Sequence, residues 1–133
     1  MDRIRIQHTP IRPFQPAKPE VVARLREQLG IAGETRVLLS VGRLSSEKGH
    51  ENLIRAFRDL LQLNRGISVR LVLVGEGPER RCFIRLCEQF EISGDVTLVG
   101  HQDDVRPYYA IADLYIAQLH PFSAKRYPSK CLC

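Results

Sequence analysis

Three short apolar runs in this chain each close on a glycine, and the stretches between them carry a helical period. Val37 to Val41 ends at Gly42, Val69 to Val74 at Gly75, and Val96 to Val99 at Gly100. Nearly unbroken apolar character over so few residues marks strands covered on both faces, as in parallel sheets. After Gly42 the apolar residues Leu53, Ile54, Phe57, Leu60 and Leu61 fall on one face of a 3.6-residue period. Strands alternating with helices at this spacing predict right-handed βαβ units and an α/β fold with a doubly wound parallel sheet.

The rest of the chain fits around that rhythm. Residues 1–19 read as an extended lead-in, interrupted by Pro10, Pro13, Pro16 and Pro19, with room for a short strand at Ile4 and Ile6. Glu20 to Leu29 reads as a helix with Val21, Val22, Leu25 and Leu29 on one face and Gly30 as its stop. Asn64-Arg65-Gly66 closes the helix that begins near His50. Pro78 suits the first turn of a helix running to about Phe90, whose buried face is expected to be Phe83, Ile84, Cys87 and Phe90. A short helix from Val105 to Ala112 packs through Tyr108, Tyr109 and Ile111. A fourth strand spans Leu114 to Ala117. Residues 20–117 thus form one domain, and 118–133 read as an irregular tail.

The segment Arg36 to Phe57 is where chemistry is expected. A strand ends at Gly42, a polar loop carries Arg43 and Lys48, and a helix starts near His50. Loops at the carboxyl ends of parallel strands line the crevice of open α/β sheets. A helix amino end offers N–H groups and partial positive charge to an anion. The forked donors of Arg43 and the mobile charge of Lys48 suit phosphate oxygens. The plain alternative is a solvated basic loop. The spacing is not that of a P-loop or a dinucleotide fingerprint, since only Gly42 and Gly49 are present and no Gly-Lys-Ser/Thr follows.

Composition narrows the classes. With 133 residues the chain supports one domain, and 44% hydrophobic with 26% charged residues fits a globular one. A net charge of +5 favours anionic ligands or surfaces. Basic residues are not interleaved with aromatics as on a nucleic-acid-binding face, so no nucleic-acid partner is expected. No apolar run nears the roughly 20 residues of a membrane span, and Met-Asp-Arg-Ile-Arg-Ile lacks a signal-peptide core. A cytoplasmic location is expected, at the inner face of the membrane if the basic surface is used there. Cys82, Cys87, Cys131 and Cys133 form no Cys-x-x-Cys pair, so reduced thiols and no zinc are expected.

Taken in order, Val41-Gly42-Arg43-Leu44, Glu47-Lys48-Gly49, Leu53-Ile54-Arg55-Ala56-Phe57 and Leu73-Val74-Gly75-Glu76-Gly77-Pro78 form a recognisable series. Val96-Thr97-Leu98-Val99-Gly100, Tyr109 and Ala112-Asp113-Leu114-Tyr115 continue it. Over roughly Phe14 to Ala117 the chain resembles the carboxy-terminal, donor-binding half of the retaining GT-B glycosyltransferases of family 4, or group 1. The resemblance implies a Rossmann-like domain that binds a UDP- or GDP-sugar. It puts Arg43 and Lys48 on the donor diphosphate, where they stabilise the charge growing on the leaving phosphate. Gly42 lets the loop pass near the phosphates, and Gly75 and Gly77 shape the neighbouring crevice. Gly100, Gln102 and Asp104 lie in the segment near the nucleobase, with Asp104 equally suited to capping a helix. Cations take the place of a metal in this family, so no metal or other cofactor is expected. His50 and His101 are given no role, and Tyr108 and Tyr109 are read as packing residues.

The departures from the family pattern are as informative. No Glu occurs after Glu91, whereas the family holds the donor ribose and sugar with two glutamates beyond its fourth strand. These 133 residues are not expected to include the family's acceptor-binding amino-terminal domain, and Gln7-His8-Thr9-Pro10 stands where an Asn-Gly pair is common. A truncated piece, inactive alone and prone to self-association through its uncovered interdomain surface, is therefore expected. A shifted reading frame after about Ala117 is one account of the tail. The alternative function is a non-catalytic module that binds a nucleotide or sugar phosphate. A dehydrogenase piece would need Gly-x-Gly-x-x-Gly at the first strand, and a receiver-like domain would need clustered acids at the strand ends.

Overall fold

The computed structural model of the protein describes residues 17–45, 49–64 and 66–117. These residues form α1 (Pro19–Gln28), β1 (Arg36–Val41), α2 (His50–Leu63), β2 (Val69–Val74), α3 (Arg80–Gln89), β3 (Val96–Gly100), α4 (Arg106–Ile111) and β4 (Leu114–Tyr115). The sheet has the order β3-β2-β1-β4 and every strand pair is parallel. Val41 pairs with Val74, and Val74 with Gly100, so β1, β2 and β3 end at one level. The expected fold is the observed one.

Both faces of the sheet are covered, which explains the unbroken apolar runs. Val69, Leu71 and Leu73 of β2 pack with Leu53, Ile54 and Phe57 of α2 and with Phe83, Leu86 and Cys87 of α3. Val72 and Val74 point the other way, joining Val37 and Leu39 of β1, Leu25 of α1, and Tyr108 and Ile111 of α4. Alternate residues of one strand thus feed two cores. The crossover changes face after β3, and β4 lands on the far side of β1. Asp113 fixes it there: its backbone N–H donates to the Val37 carbonyl at 2.8 Å, and its carboxylate accepts the Val37 N–H at 2.8 Å.

Several local expectations are corrected. Helix α3 starts at Arg80, with Glu79 as its N-cap, and Pro78 lies in the turn before it. The Glu79 N–H donates to the Leu44 carbonyl at 3.1 Å, so this turn is committed to a neighbouring loop. Ile84 is 36% exposed, and Cys82 and Leu86 take buried places on α3 beside Phe83 and Cys87. Phe90 is only partly buried and carries the guanidinium groups of Arg55 and Arg58 at 5.4 and 4.2 Å from its ring centre. Strand β4 is two residues long. His50 is buried in the first turn of α2, its ring tilted against Phe83 at 5.7 Å. Cys87 is a free, buried thiol, whereas Cys82 is disulfide-bonded rather than reduced. The short strand at Ile4 and Ile6 and the tail at 118–133 lie outside the described residues.

Candidate functional site

A cleft of about 400 Å³ opens where β1, β2 and β3 end. Val41, Gly42 and Arg43 line it from β1, Val74, Gly75 and Glu76 from β2, and His101, Gln102 and Val105 from the loop between β3 and α4. This is the mouth that a doubly wound sheet leaves open for a ligand.

The floor of the cleft is held by hydrogen bonds that continue the sheet past its strands. The Gly42 N–H donates to the Val74 carbonyl at 2.9 Å, and the Leu44 N–H to the Glu76 carbonyl at 3.1 Å. On the other side, the Gly75 N–H donates to the Gly100 carbonyl at 2.8 Å. Leu44 is 0% exposed, its side chain sunk in the core under α2 and α3. Arg43 therefore stands between two anchored residues, with its side chain exposed at the mouth. It makes no ion pair among the described residues. Preorganised donors of this kind bind an anion without first breaking an internal contact.

The glycines divide by role. Gly75, at φ 145°, leaves no space for a side chain, since a Cβ there would strike the Gly42 carbonyl. A Cβ on Gly77 would strike the Leu44 carbonyl, and Gly77 itself does not line the cleft. Gly77 thus shapes the crevice from behind, by letting two loops touch. Gly42 has open space around it and does line the cleft. Gly100 adopts φ 85° at the end of β3 and is not among the residues that line the cleft.

Gln102 faces the cleft, with its side-chain amide 3.5 Å from the Val99 carbonyl. Asp104 does not line it. Its carboxylate takes the Arg106 side chain through two hydrogen bonds, of 2.9 and 3.0 Å, and accepts the Arg106 backbone N–H at 3.1 Å. Those bonds hold its carboxyl below the usual range. Asp104 acts at the start of α4, the capping role to which it was equally suited. Lys48 lies outside the described residues. Gly49 to Asn52, at the amino end of α2, are not among the lining residues.

Two cleft residues escaped the sequence reading. Glu76 pairs with Arg80 at 3.2 Å, and the exposed His101 lies 3.3 Å from Asp103. A signal for both was present: Arg43, Glu76 and His101 each follow the glycine that ends a strand. Among the described residues, no three His, Cys, Asp or Glu side chains are grouped to hold a metal ion. Among the same residues, no helix is long and apolar enough to cross a membrane.

A doubly wound parallel sheet with a glycine-floored mouth is a Rossmann-like domain. The family model for glycosyl transferases group 1 matches residues 21–121, and the chain belongs to that family. It is 35% identical over 96 residues to the lipopolysaccharide core biosynthesis glycosyltransferase LpsE of Rhizobium meliloti strain 1021, covering 72% of this chain and 26% of LpsE. The crystal structure of WaaG, a glycosyltransferase involved in lipopolysaccharide biosynthesis, superposes with a TM-score of 0.64 at 28% identity, covering 79% of this chain and 29% of WaaG. Anabaena Alr3699/HepE in complex with UDP-glucose gives 0.64 at 25% identity, covering 75% of this chain and 27% of that protein. The chain spans about a quarter of the length of the curated relatives it matches.

Proposed function

We propose that this chain is the donor-binding domain of a retaining glycosyltransferase that moves a sugar from a nucleotide-diphosphate sugar to an acceptor. The carrying observation is Arg43, exposed at the mouth of the cleft between two backbone-anchored neighbours. Family membership supports sugar transfer, and HepE, a structural neighbour, is a complex with UDP-glucose. In this reading the Arg43 guanidinium takes oxygens of the donor diphosphate. Lys48, in the same loop, adds a second positive charge. As the bond from sugar to phosphate breaks, negative charge accumulates on the departing diphosphate, and these cations lower its energy. No metal is required for that role. Gln102 sits on the base side of the cleft.

The acceptor side belongs to a second domain, and the isolated chain is expected to bind the donor without transferring its sugar. Titration of the chain with UDP and GDP tests the reading. Binding that is lost in Arg43→Ala, with the fold retained by circular dichroism, is the expected result. Equal affinity in wild type and variant would remove Arg43 from the diphosphate. Sugar transfer by these 133 residues alone would overturn the expected inactivity.

A further inference from the structure

We propose that the outer edge of β3 pairs with the same strand of a second copy of this chain, antiparallel across a twofold axis, with Thr97 opposite Thr97. This pairing does not depend on the donor-binding reading above. Strand β3 closes one side of the sheet, and among the described residues β2 is the only strand beside it. The Leu71 N–H of β2 donates to the Asp95 carbonyl at 2.9 Å. Backbone groups alternate in direction along a strand, so Thr97 faces β2 with its N–H and C=O, and Val96 and Leu98 turn theirs outward. The outward edge stops there, because Gly100 turns its carbonyl back to the Gly75 N–H at 2.8 Å.

Exposed edges are ordinarily blunted by short length, charge, proline or a covering element. The opposite edge of this sheet follows that rule, since β4 is two residues long. Strand β3 does not. From Ile92 to Gly100 the only charged residue is Asp95, no proline occurs, and Thr97, Leu98 and Val99 are half-buried. The helix that follows, α4, packs on α1 and β1. A second copy fits this edge for two reasons. The edge complements itself: with Thr97 opposite Thr97, Val96 of each copy lies opposite Leu98 of the other, and every outward N–H meets an outward C=O. Any other twofold register leaves some of these groups unpaired. The ends also match. Asp95 precedes the strand and the exposed His101 follows it. Antiparallel pairing brings the carboxylate of one copy to the end where the imidazole of the other lies, whereas a parallel partner would set Asp95 beside Asp95. The Asp95 carboxylate makes no ion pair among the described residues.

Sedimentation velocity and NMR-detected amide hydrogen exchange of the 133-residue chain test this, at about 50 µM and about 2 mM. An interface this small should have a dissociation constant on the order of 0.1–1 mM, so monomer should give way to dimer over that range. The Val96 and Leu98 amides should exchange about threefold more slowly at the higher concentration, and the Thr97 amide, bonded to β2, should be slow at both. Thr97→Glu, which sets two carboxylates face to face, should remove the dimer. Thr97→Cys should oxidise to a covalent dimer joined at position 97, because residues directly opposite in a non-hydrogen-bonded pair lie at disulfide distance. Gly94→Cys, opposite Gly100 in this register, should not. Should Thr97→Glu fail to fold, the cross-link and the wild-type exchange decide. A chain that stays monomeric at the higher concentration, with Val96 and Leu98 exchanging freely, overturns the inference in favour of a solvated edge. Equal protection of those amides at both concentrations in a monomer overturns it in favour of coverage by other residues of the same chain. A dimer that survives Thr97→Glu and does not cross-link at position 97 is built on another surface and overturns it as well.

Discussion

Gly75 and Gly42 meet backbone to backbone, so closely that a methyl group on Gly75 would overlap the Gly42 carbonyl. This contact joins the ends of β1 and β2 at the floor of the cleft. It predicts that Gly75→Ala is far more damaging than an ordinary glycine substitution. At φ 145° the residue adopts a conformation that L side chains rarely take, and the clash is with backbone, which cannot rotate away. We expect a loss of about 2–4 kcal/mol in urea unfolding. Gly94→Ala, with open space around it and no positive φ, should stay within about 0.5–1 kcal/mol of wild type. Equal stability of the two variants would show that the loops can part freely.

Arg43 should behave as a binding residue and not as a structural one. Its side chain is exposed and unpaired among the described residues, so Arg43→Ala should leave the thermal midpoint within about 2 °C. Pyrophosphate affinity should fall about tenfold or more, and the wild-type affinity should weaken as salt rises. Arg43→Lys should recover only part of it, because an ammonium lacks the planar fork. A fall in thermal midpoint as large as the fall in affinity would point to a packing role.

Arg70 is predicted to be the structural arginine of the molecule. From β2 it donates to the Leu29 carbonyl at 3.0 Å, the Thr97 hydroxyl at 3.1 Å and the Gly30 carbonyl at 3.4 Å. It therefore ties the carboxyl end of α1 to the sheet. Arg70→Met keeps much of the apolar stem and removes the donors. It should cost about 1–3 kcal/mol in chemical denaturation, with pyrophosphate affinity unchanged, since the residue is at the opposite end of the strand from the cleft. Wild-type stability in Arg70→Met would show that water replaces these bonds without loss.

Cys87 should be inert in the native chain. Burial, and secondarily the charge of Glu88, pushes its thiol up to about 11, against an ordinary 9.0. The reactive species is the thiolate, which is scarce at pH 8 at such a pKa. Peptide mapping after brief maleimide treatment should find Cys87 unlabelled in native protein and labelled in urea. The same shift has a stability consequence. The folded state favours the neutral thiol, so its contribution is complete below pH 9 and is lost as pH rises towards 11. Rapid native labelling at pH 8 would contradict the burial.

Much of the fold was legible because its signal is local. The face of α2 that carries Leu53, Ile54 and Phe57 was readable from spacing alone, since a 3.6-residue period leaves few ways to bury those side chains. The face of α3 was less so. Phe83 and Cys87 were placed correctly, but Ile84 was expected inside and Leu86 was overlooked. Apolar residues crowd that helix on adjacent positions, and only the location of α2 and the sheet decides which side is inner. At the site, the position of Arg43 was legible from the strand-glycine-cation order. Asp104 had two readings open in the sequence, and its hydrogen bonds to Arg106, two residues away, are those of the capping one.

The amino-acid order by itself determined the alternation of strands and helices, the glycine at each strand end and the loop that carries the exposed cation. Those features follow from backbone geometry and the exclusion of apolar side chains from water, both of which act over a few residues. Tertiary structure alone decided what each strand-end residue faces. It set Gly77 against Leu44, Gly75 against Gly42, and Glu76 between Arg43 and Gln102. The reason is that β1, β2 and β3 are neighbours only once the sheet has assembled, and their spacing, not their separation along the chain, brings those side chains to one mouth.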